Sequence, residues 1–499
     1  MVLEDNLIYL NKLLPTLILL SGLLSCGGQT DGHGGSAGSS SGGSDNSGSS
    51  ADITCIGWFT GATTTTAPAT NTNFNQATAY SLQWTASDAD ATCFTHSTVT
   101  NNHKVTIATD GDYLVSINVP VVGAVSNGSI ITDVRKNGTA MSVGRCASVY
   151  IANANGHAES SNNCTFFLSG LVAGDEIDVT VKLGGGVGTI TVLDEATMFM
   201  EYVGSSRKIF YATATQTTNS TNLNDTTDYA ISWTHSVQDT GFSHTNGSGD
   251  ITLSTAGTYV VHITIPLTTA DTGVGVEGMI KLDGTIVTSG QFRQGYLVTK
   301  TESSISWSGI VVSTSSNQVL SLYTGDSATP GTITVSAGYE ASIFIEKLSS
   351  DTGVLFVDGN SLVSGASLNS NAASSHKWTN STIADATYYT HSTATNPQSI
   401  TVEQAGDYLL MLNSSNFCSP ITSRTNFRIR VAVNGTNVSG AIASSHYCGG
   451  SVGNNLASGA LTFLLEGLSA SDVITVTAQR EANTGTVTNN GTLLVLIKK

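Results

Sequence analysis

Charge is what this sequence has least of. Asp, Glu, Lys and Arg make up 11% of its 499 residues, where a soluble domain usually carries about 25%. Coiled coils and helical bundles draw heavily on Glu and Lys, so the shortage argues against both. Basic residues are scarcest: 19 Lys and Arg against 36 Asp and Glu leave a net charge of −17. Such a chain repels a phosphate backbone, which sets nucleic acid aside as a partner. Proline is rare at 7 residues, and beyond residue 24 no segment sustains a 3.6-residue apolar period with caps. In their place stand 52 Gly with abundant Ser, Thr and Asn. Val, Ile, Thr and Tyr recur in alternating runs that can bury area, which excludes charge-driven disorder. The class that remains is an all-β, turn-rich, exported protein, and at roughly 150 residues per domain the length allows about three domains.

Residues 13–24 read LLPTLILLSGLL after Lys12. The run is too short for a membrane span, which needs about 20 residues, but suits the core of a signal peptide. It ends in Leu23-Leu24-Ser25-Cys26, which resembles a bacterial lipobox. The resemblance implies a signal peptide over 1–25 and a Cys26 that carries two or three acyl chains as the mature N-terminus. Gly27 stands where an Asp would signal inner-membrane retention, so it implies the outer membrane or cell surface. Glu4 and Asp5 occupy the region where basic residues belong, which points to translation beginning near Leu7 or Leu10. Residues 26–50 are almost wholly Gly, Ser, Asn and Asp. Such a tract behaves as a flexible tether of roughly 25–30 Å, and a lipid joined to a loose tether holds a globular part off a membrane.

The rest of the chain repeats three times. Trp84, Trp233 and Trp378 each precede an Asp-rich turn and a His: DADATCFTHS (88–97), VQDTGFSHT (237–245) and ADATYYTHS (384–392). VTIATDGDYLVSINVP (105–120), ITLSTAGTYVVHITIP (251–266) and ITVEQAGDYLLMLNSS (400–415) follow, then VRKNGT (134–139), IKLDGT (280–285) and VAVNGT (431–436). FFLSGLVAGDEIDVTV (166–181) is echoed by FLLEGLSASDVITVTA (463–478), more loosely by WSGIVVSTSSNQVLSL (307–322). The period near 148 is a whole domain, so the expected domains are 51–205, 206–349 and 350–499. Each alternates like a half-buried antiparallel sheet, with Tyr113, Val115, Ile117 and Val119 on one face and Leu114, Ser116 and Asn118 on the other. Asn137-Gly138, Asp283-Gly284 and Asn434-Gly435 are the chemistry of tight hairpins. Eight to ten short strands per copy suit a two-sheet jelly roll.

This order of landmarks is similar to bacterial members of the C1q/TNF-like jelly-roll superfamily. The likeness is clearest at Gly111-Asp112-Tyr113, Gly406-Asp407-Tyr408, Arg135 with Asn137-Gly138, Arg430 with Asn434-Gly435, and Gly174-Asp175. The middle copy departs from it, with Thr258 after Gly257 and no late Gly-Asp pair. The resemblance implies trimerising modules that bind proteins, carbohydrates or surfaces, without enzymatic activity. With short links at 204–208 and 349–353, two arrangements stay open: a pseudo-trimer within one chain, or three domains in a row.

Besides Cys26, the first copy holds Cys55, Cys93, Cys146 and Cys164, the middle copy none, and the third Cys418 and Cys448. Even counts in an exported chain read as disulfides. The third copy allows only Cys418–Cys448. The first allows three pairings, of which Cys55–Cys93 and Cys146–Cys164 are favoured: one ties the incoming strand to the turn before His96, the other clips neighbouring strands. Zinc is disfavoured, since no CxxC is present and no His clusters with the Cys.

His96, His244 and His391 recur in every copy. The plain reading is a His bonded to its own turn through Asp90, Asp239 and Asp385; in a pseudo-trimer the three could instead form a ring for an anion, a metal or a pH response. Two literal motifs fail on context. Residues 273–278 match G-x-G-x-x-G but run into a strand. Residues 38–42 match G-x-S-x-G inside the tether. No catalytic group or cofactor is expected. The sequence therefore reads as a lipid-anchored surface protein that binds a protein or glycan without catalysis. Variable loops at 122–129, 152–163, 270–276 and 444–455 would carry recognition. Rival readings are a coat or filament subunit and, less favoured, a polysaccharide-acting enzyme.

Overall fold

Alternating apolar and polar residues produce antiparallel strands throughout the computed structural model. It describes residues 55–65, 72–125, 128–147, 151, 158–186, 188–271, 274–294, 302–326, 331–365, 372–419, 427–444, 456–481 and 486–499. The expected signal peptide, Cys26 and the tether lie outside the described residues, as does Cys448 of the expected Cys418–Cys448 pair. The described residues hold strands and no helix, arranged as three β-sandwiches of two antiparallel sheets each.

One sheet has the same order in all three. In the first copy Glu159–Leu171, Gly111–Gly123, Ala196–Val203, Ile56–Gly61 and Ala86–Ala89 lie side by side. In the middle copy the order is Glu302–Ser313, Gly257–Thr269, Ala341–Lys347, Lys208–Ala214 and Thr234–Gln238. In the third it is Leu456–Leu468, Gly406–Ser419, Thr486–Lys498, Val354–Gly359 and Asn380–Ala384. Trp84, Trp233 and Trp378 are wholly buried in these sandwiches.

The repeated motifs mark backbone requirements. Gly111, Gly257 and Gly406 take φ of 152°, 152° and 134°, and a Cβ there would run into Tyr202, Lys347 and Lys498. Two residues on, the hydroxyls of Tyr113, Tyr259 and Tyr408 reach back to the carbonyls of Thr109, Thr255 and Gln404. Both residues of Asn137-Gly138, Asp283-Gly284 and Asn434-Gly435 have positive φ, as a two-residue hairpin turn requires. Each turn is also tied to the next loop. Asn137 Nδ2 donates to Asp175 Oδ1 at 2.7 Å, and Asn434 Nδ2 to Asp472 Oδ1 at 2.7 Å. The middle copy lacks that Asp and reverses the polarity: Asp283 accepts from Gln318 Nε2 and Val319 N, both at 2.8 Å.

The three sandwiches touch in cyclic order. Glu159–Leu171 packs on Gly257–Thr269, Glu302–Ser313 on Gly406–Ser419, and Leu456–Leu468 on Gly111–Gly123. These three edge strands also meet one another, so one edge of each of these sheets is covered by another copy, while the opposite edges, Ala86–Ala89, Thr234–Gln238 and Asn380–Ala384, are largely exposed. Aromatic rings cross the junctions: Phe167 packs on Tyr211 and Phe344, and Trp58 meets Phe463 edge-on at 4.6 Å.

This arrangement corrects the half-buried reading of the strands. Leu114, Ser116 and Asn118 are as buried as Tyr113, Val115 and Ile117, because a neighbouring sandwich lies where solvent was expected. The loop assignments are corrected as well. Residues 159–163 belong to the buried strand Glu159–Leu171, Val122 and Gly123 complete Gly111–Gly123, and Val276 and Ser444 lie buried in Val276–Leu282 and Thr436–Ser444. Residues 126–127, 152–157, 272–273 and 445–455 lie outside the described residues.

Cys55–Cys93 and Cys146–Cys164 are both paired. Cys146–Cys164 joins the two sheets of the sandwich rather than neighbours within one, because Thr139–Ala147 and Glu159–Leu171 belong to different sheets. Register places Lys208 and Gly241 of the middle copy where the first has Cys55 and Cys93. A Cβ on Gly241 would stand 4.0 Å from that of Lys208, inside the range that a disulfide spans. We therefore expect Lys208→Cys with Gly241→Cys to oxidise spontaneously and to stabilise the protein by about 2–4 kcal/mol. Urea unfolding with and without reductant measures the gain, and a free-thiol assay reports bond formation.

Candidate functional site

The positions three, five and seven residues after each repeated Gly form layers where the copies meet. They are Leu114, Val260 and Leu409, then Ser116, His262 and Met411, then Asn118, Thr264 and Asn413. In the last layer each polar side chain bonds to another copy's backbone. Asn118 Nδ2 donates to the carbonyls of Gly440 and Ile442 at 2.9 and 3.0 Å, Thr264 Oγ1 to Thr165 O at 2.9 Å, and Asn413 Nδ2 to Ser308 O. Burial leaves these atoms no water, so the neighbouring copy must supply their partners.

Above these layers lies a cavity of about 300 Å³, lined by Leu114, Val260 and Leu409 and by the equivalent positions Glu201, Glu346 and Ile497. Arg207, from the link between the first two copies, grips both carboxylates: Nε donates to Glu346 Oε1 at 2.6 Å and Nη1 lies 3.1 Å from Glu201 Oε1. Lys499 Nζ donates to both Glu201 oxygens at 2.8 and 2.9 Å. His262 closes the floor, its Nδ1 2.8 Å from Ser308 Oγ.

Burial alone pushes the Glu201 carboxyl up, but Arg207 and Lys499 outweigh it and hold the group at about 2. Burial, with Lys499 and Arg207 nearby, pushes the His262 imidazole down to about 3. Glu201 therefore stays ionised and His262 neutral across the range in which a general acid or base at neutral pH must trade protons. The lining side chains come from all three sandwiches.

Ion pairs stitch the junctions farther out. Arg145 is bidentate to Asp133 at 2.7 and 3.0 Å within the first copy, and reaches Glu302 at 2.8 Å and Tyr339 at 2.7 Å in the second. Arg293 pairs with Glu277 at 2.7 Å within the middle copy, two residues along from the places of Arg145 and Asp133, which Gln291 and Met279 hold. The third copy carries Arg428 where the middle copy carries Glu277, and it takes Glu159 from the first copy as a partner. Sequence reading missed these arginines. Their signal was that scarce charge falls inside alternating strands, where a solvated face needs none.

The repeated histidines are held in their own sandwiches. Nε2 of His96, His244 and His391 faces the carbonyls of Asn102, Ser248 and Pro397 at 3.1, 3.2 and 3.3 Å. The expected Asp partners serve the backbone instead: Asp90 and Asp385 accept from Thr92 N and Thr387 N, Asp239 from Ile209 N. The three His do not come together, and among the described residues no group of three His, Cys, Asp or Glu side chains is placed to hold a metal.

Two measurements test this junction. Asn118→Leu strands two buried carbonyls and is expected to cost about 1–3 kcal/mol in urea unfolding. His262 binds its proton more tightly when unfolded, at an ordinary 6.5, than when folded, at about 3. Its contribution is complete above pH 6.5 and is lost on acidification towards pH 3, by about 1.4 kcal/mol per pH unit. His262→Gln should flatten that slope in part, since His376, also held at about 3 by burial, keeps its own share.

No family model and no curated protein matches this chain. Among solved structures, murine APRIL at pH 5.0, a TNF-family jelly roll, aligns with 28% of this chain and 99% of its own length, at 9% identity and a TM-score of 0.23. PNGF-II aligns with 74% of this chain and 99% of its own, at 8% identity and a TM-score of 0.21. A structure of infectious bursal disease virus Gx strain aligns with 89% of this chain and 80% of its own, at 9% identity and a TM-score of 0.16. Likenesses this slight carry no argument of their own.

Proposed function

We propose that this chain is a noncatalytic binding protein of the cell surface, anchored through a lipid on Cys26 and tethered by residues 26–50. Its three C1q/TNF-like sandwiches act as one rigid head for adhesion to a protein or glycan. The observation that supports this most is where the scarce charge goes. Arg145, Arg207 and Arg428 each meet a carboxylate of another copy, Glu302, Glu201 and Glu159, so the basic residues, the scarcest of all, are drawn into assembly. The exposed positions are mainly Ser, Thr and Asn, with scattered acids such as Asp88, Asp110, Asp250, Asp283 and Asp351, a surface suited to hydrogen bonding across a broad contact. Among the described residues its large exposed apolar side chains, Val99, Val172, Ile286 and Val363, lie apart in the sequence.

Glycan and protein arrays probed with the chain from residue 51 onward are expected to return a discrete ligand class. Binding should survive His96→Ala and His391→Ala. Labelling with a radioactive fatty acid should mark the full chain and fail on Cys26→Ala. Concentration-dependent filaments or sheets with empty arrays would favour the coat reading, and labelling unaffected by Cys26→Ala would overturn the anchor.

A further inference from the structure

The middle copy has no cysteine with which to join its two sheets, and it carries a second histidine where its sheet edges meet. His235 lies on Thr234–Gln238, the edge strand of one sheet, and His244 on Phe242–His244, the edge strand of the other. Their Nδ1 atoms are 3.0 Å apart, and both rings pack against Phe210. The carbonyl of Ser248 accepts from His244 Nε2; a carbonyl has no proton to give, so Nε2 carries the hydrogen and Nδ1 the lone pair. A backbone carbonyl that fixes the tautomer and leaves the other nitrogen free is the usual outer support of a metal-binding imidazole. His96 and His391 are oriented by carbonyls in the same way, but neither meets a second imidazole: His96 Nδ1 faces Ser87 Oγ, and His391 Nδ1 has no partner among the described residues.

We propose that His235 and His244 form a two-histidine site for a divalent late transition ion, copper(II) foremost, that clips the two sheets of the middle sandwich. Two nitrogens about 2.0 Å from a metal stand about 2.9 Å apart at a right angle and about 3.3 Å apart in a tetrahedron. The observed separation matches the right angle, the preference of copper(II) and nickel(II), and imidazole affinity along the first-row series peaks at copper. Binding needs no net loss of a proton: His235 shifts its hydrogen from Nδ1 to Nε2, its Nδ1 lone pair joins that of His244 on the metal, and water fills the remaining positions. His244 stands three residues after Gly241 and His235 pairs with Ala212, four residues after Lys208; farther along the same pair of strands, the metal would join two sheets as Cys55–Cys93 does in the first copy.

Copper(II) titrated into the full chain is expected to occupy one site whose electron paramagnetic resonance spectrum shows coupling to two nitrogens. His235→Ala and His244→Ala should each weaken it by about tenfold or more, and His96→Ala should not. Copper should raise the thermal midpoint of the parent chain but not of these two variants. Unfolding in a chelator shows whether each variant is folded, and His235→Asn replaces His235→Ala if it is not. Copper bound equally well by both variants, coupling to a single nitrogen, or no bound copper would each overturn the proposal.

Discussion

A strand with both faces buried has nowhere to discharge its polar side chains except into another piece of protein. That constraint governs this molecule. The strands Gly111–Gly123, Gly257–Thr269 and Gly406–Ser419 each give one face to their own sandwich and the other to a neighbour. Ser, Thr and Asn on the second face are tolerable only because backbone carbonyls of the adjoining copy lie within reach. Satisfied in this way, they also fix register, since a slip of one residue would turn apolar groups to the polar slots.

How much of this was legible depended on whether a residue's task was local. Asn137-Gly138 and its two counterparts announce a hairpin because positive φ is a property of two residues. Cys55 and Cys93 could be matched because each is tied to a recognisable landmark. Asn118 could not be read. Alternation tells that it lies opposite Tyr113, but a period of two cannot distinguish water from a second sandwich. Glu201 and Arg207 were opaque for the same reason, since their partners Lys499 and Glu346 lie 298 and 139 residues away. Residues 159–163 misled by composition: Ser-Ser-Asn-Asn is loop-like in isolation, yet here it is a strand whose polar groups meet another copy, as Ser161 does with Ser444.

The copies have diverged by exchanging parts that perform one task. Asn137 with Asp175 becomes Asp283 with Gln318. The disulfide place becomes Lys208 with Gly241 in the middle copy and Gly353 under the Tyr388 ring in the third. The sandwich tolerates each exchange because the backbone groups being satisfied, or the sheets being joined, stay where they were.

The junction ion pairs carry a further meaning. Register aligns Glu159, Glu302 and Leu456, and likewise Ile131, Glu277 and Arg428. Acids from the first set therefore serve two junctions. At the junction between the middle and third copies that position is Leu456, and Arg293 is neutralised by its own Glu277. Three third copies assembled on their own would set Arg428 against Leu456 with no acid to meet it. The ring thus has a reading order written in charge, and shuffled copies would bury a cation alone. Duplication supplied three equal parts, and their seams have since made each part specific to its place.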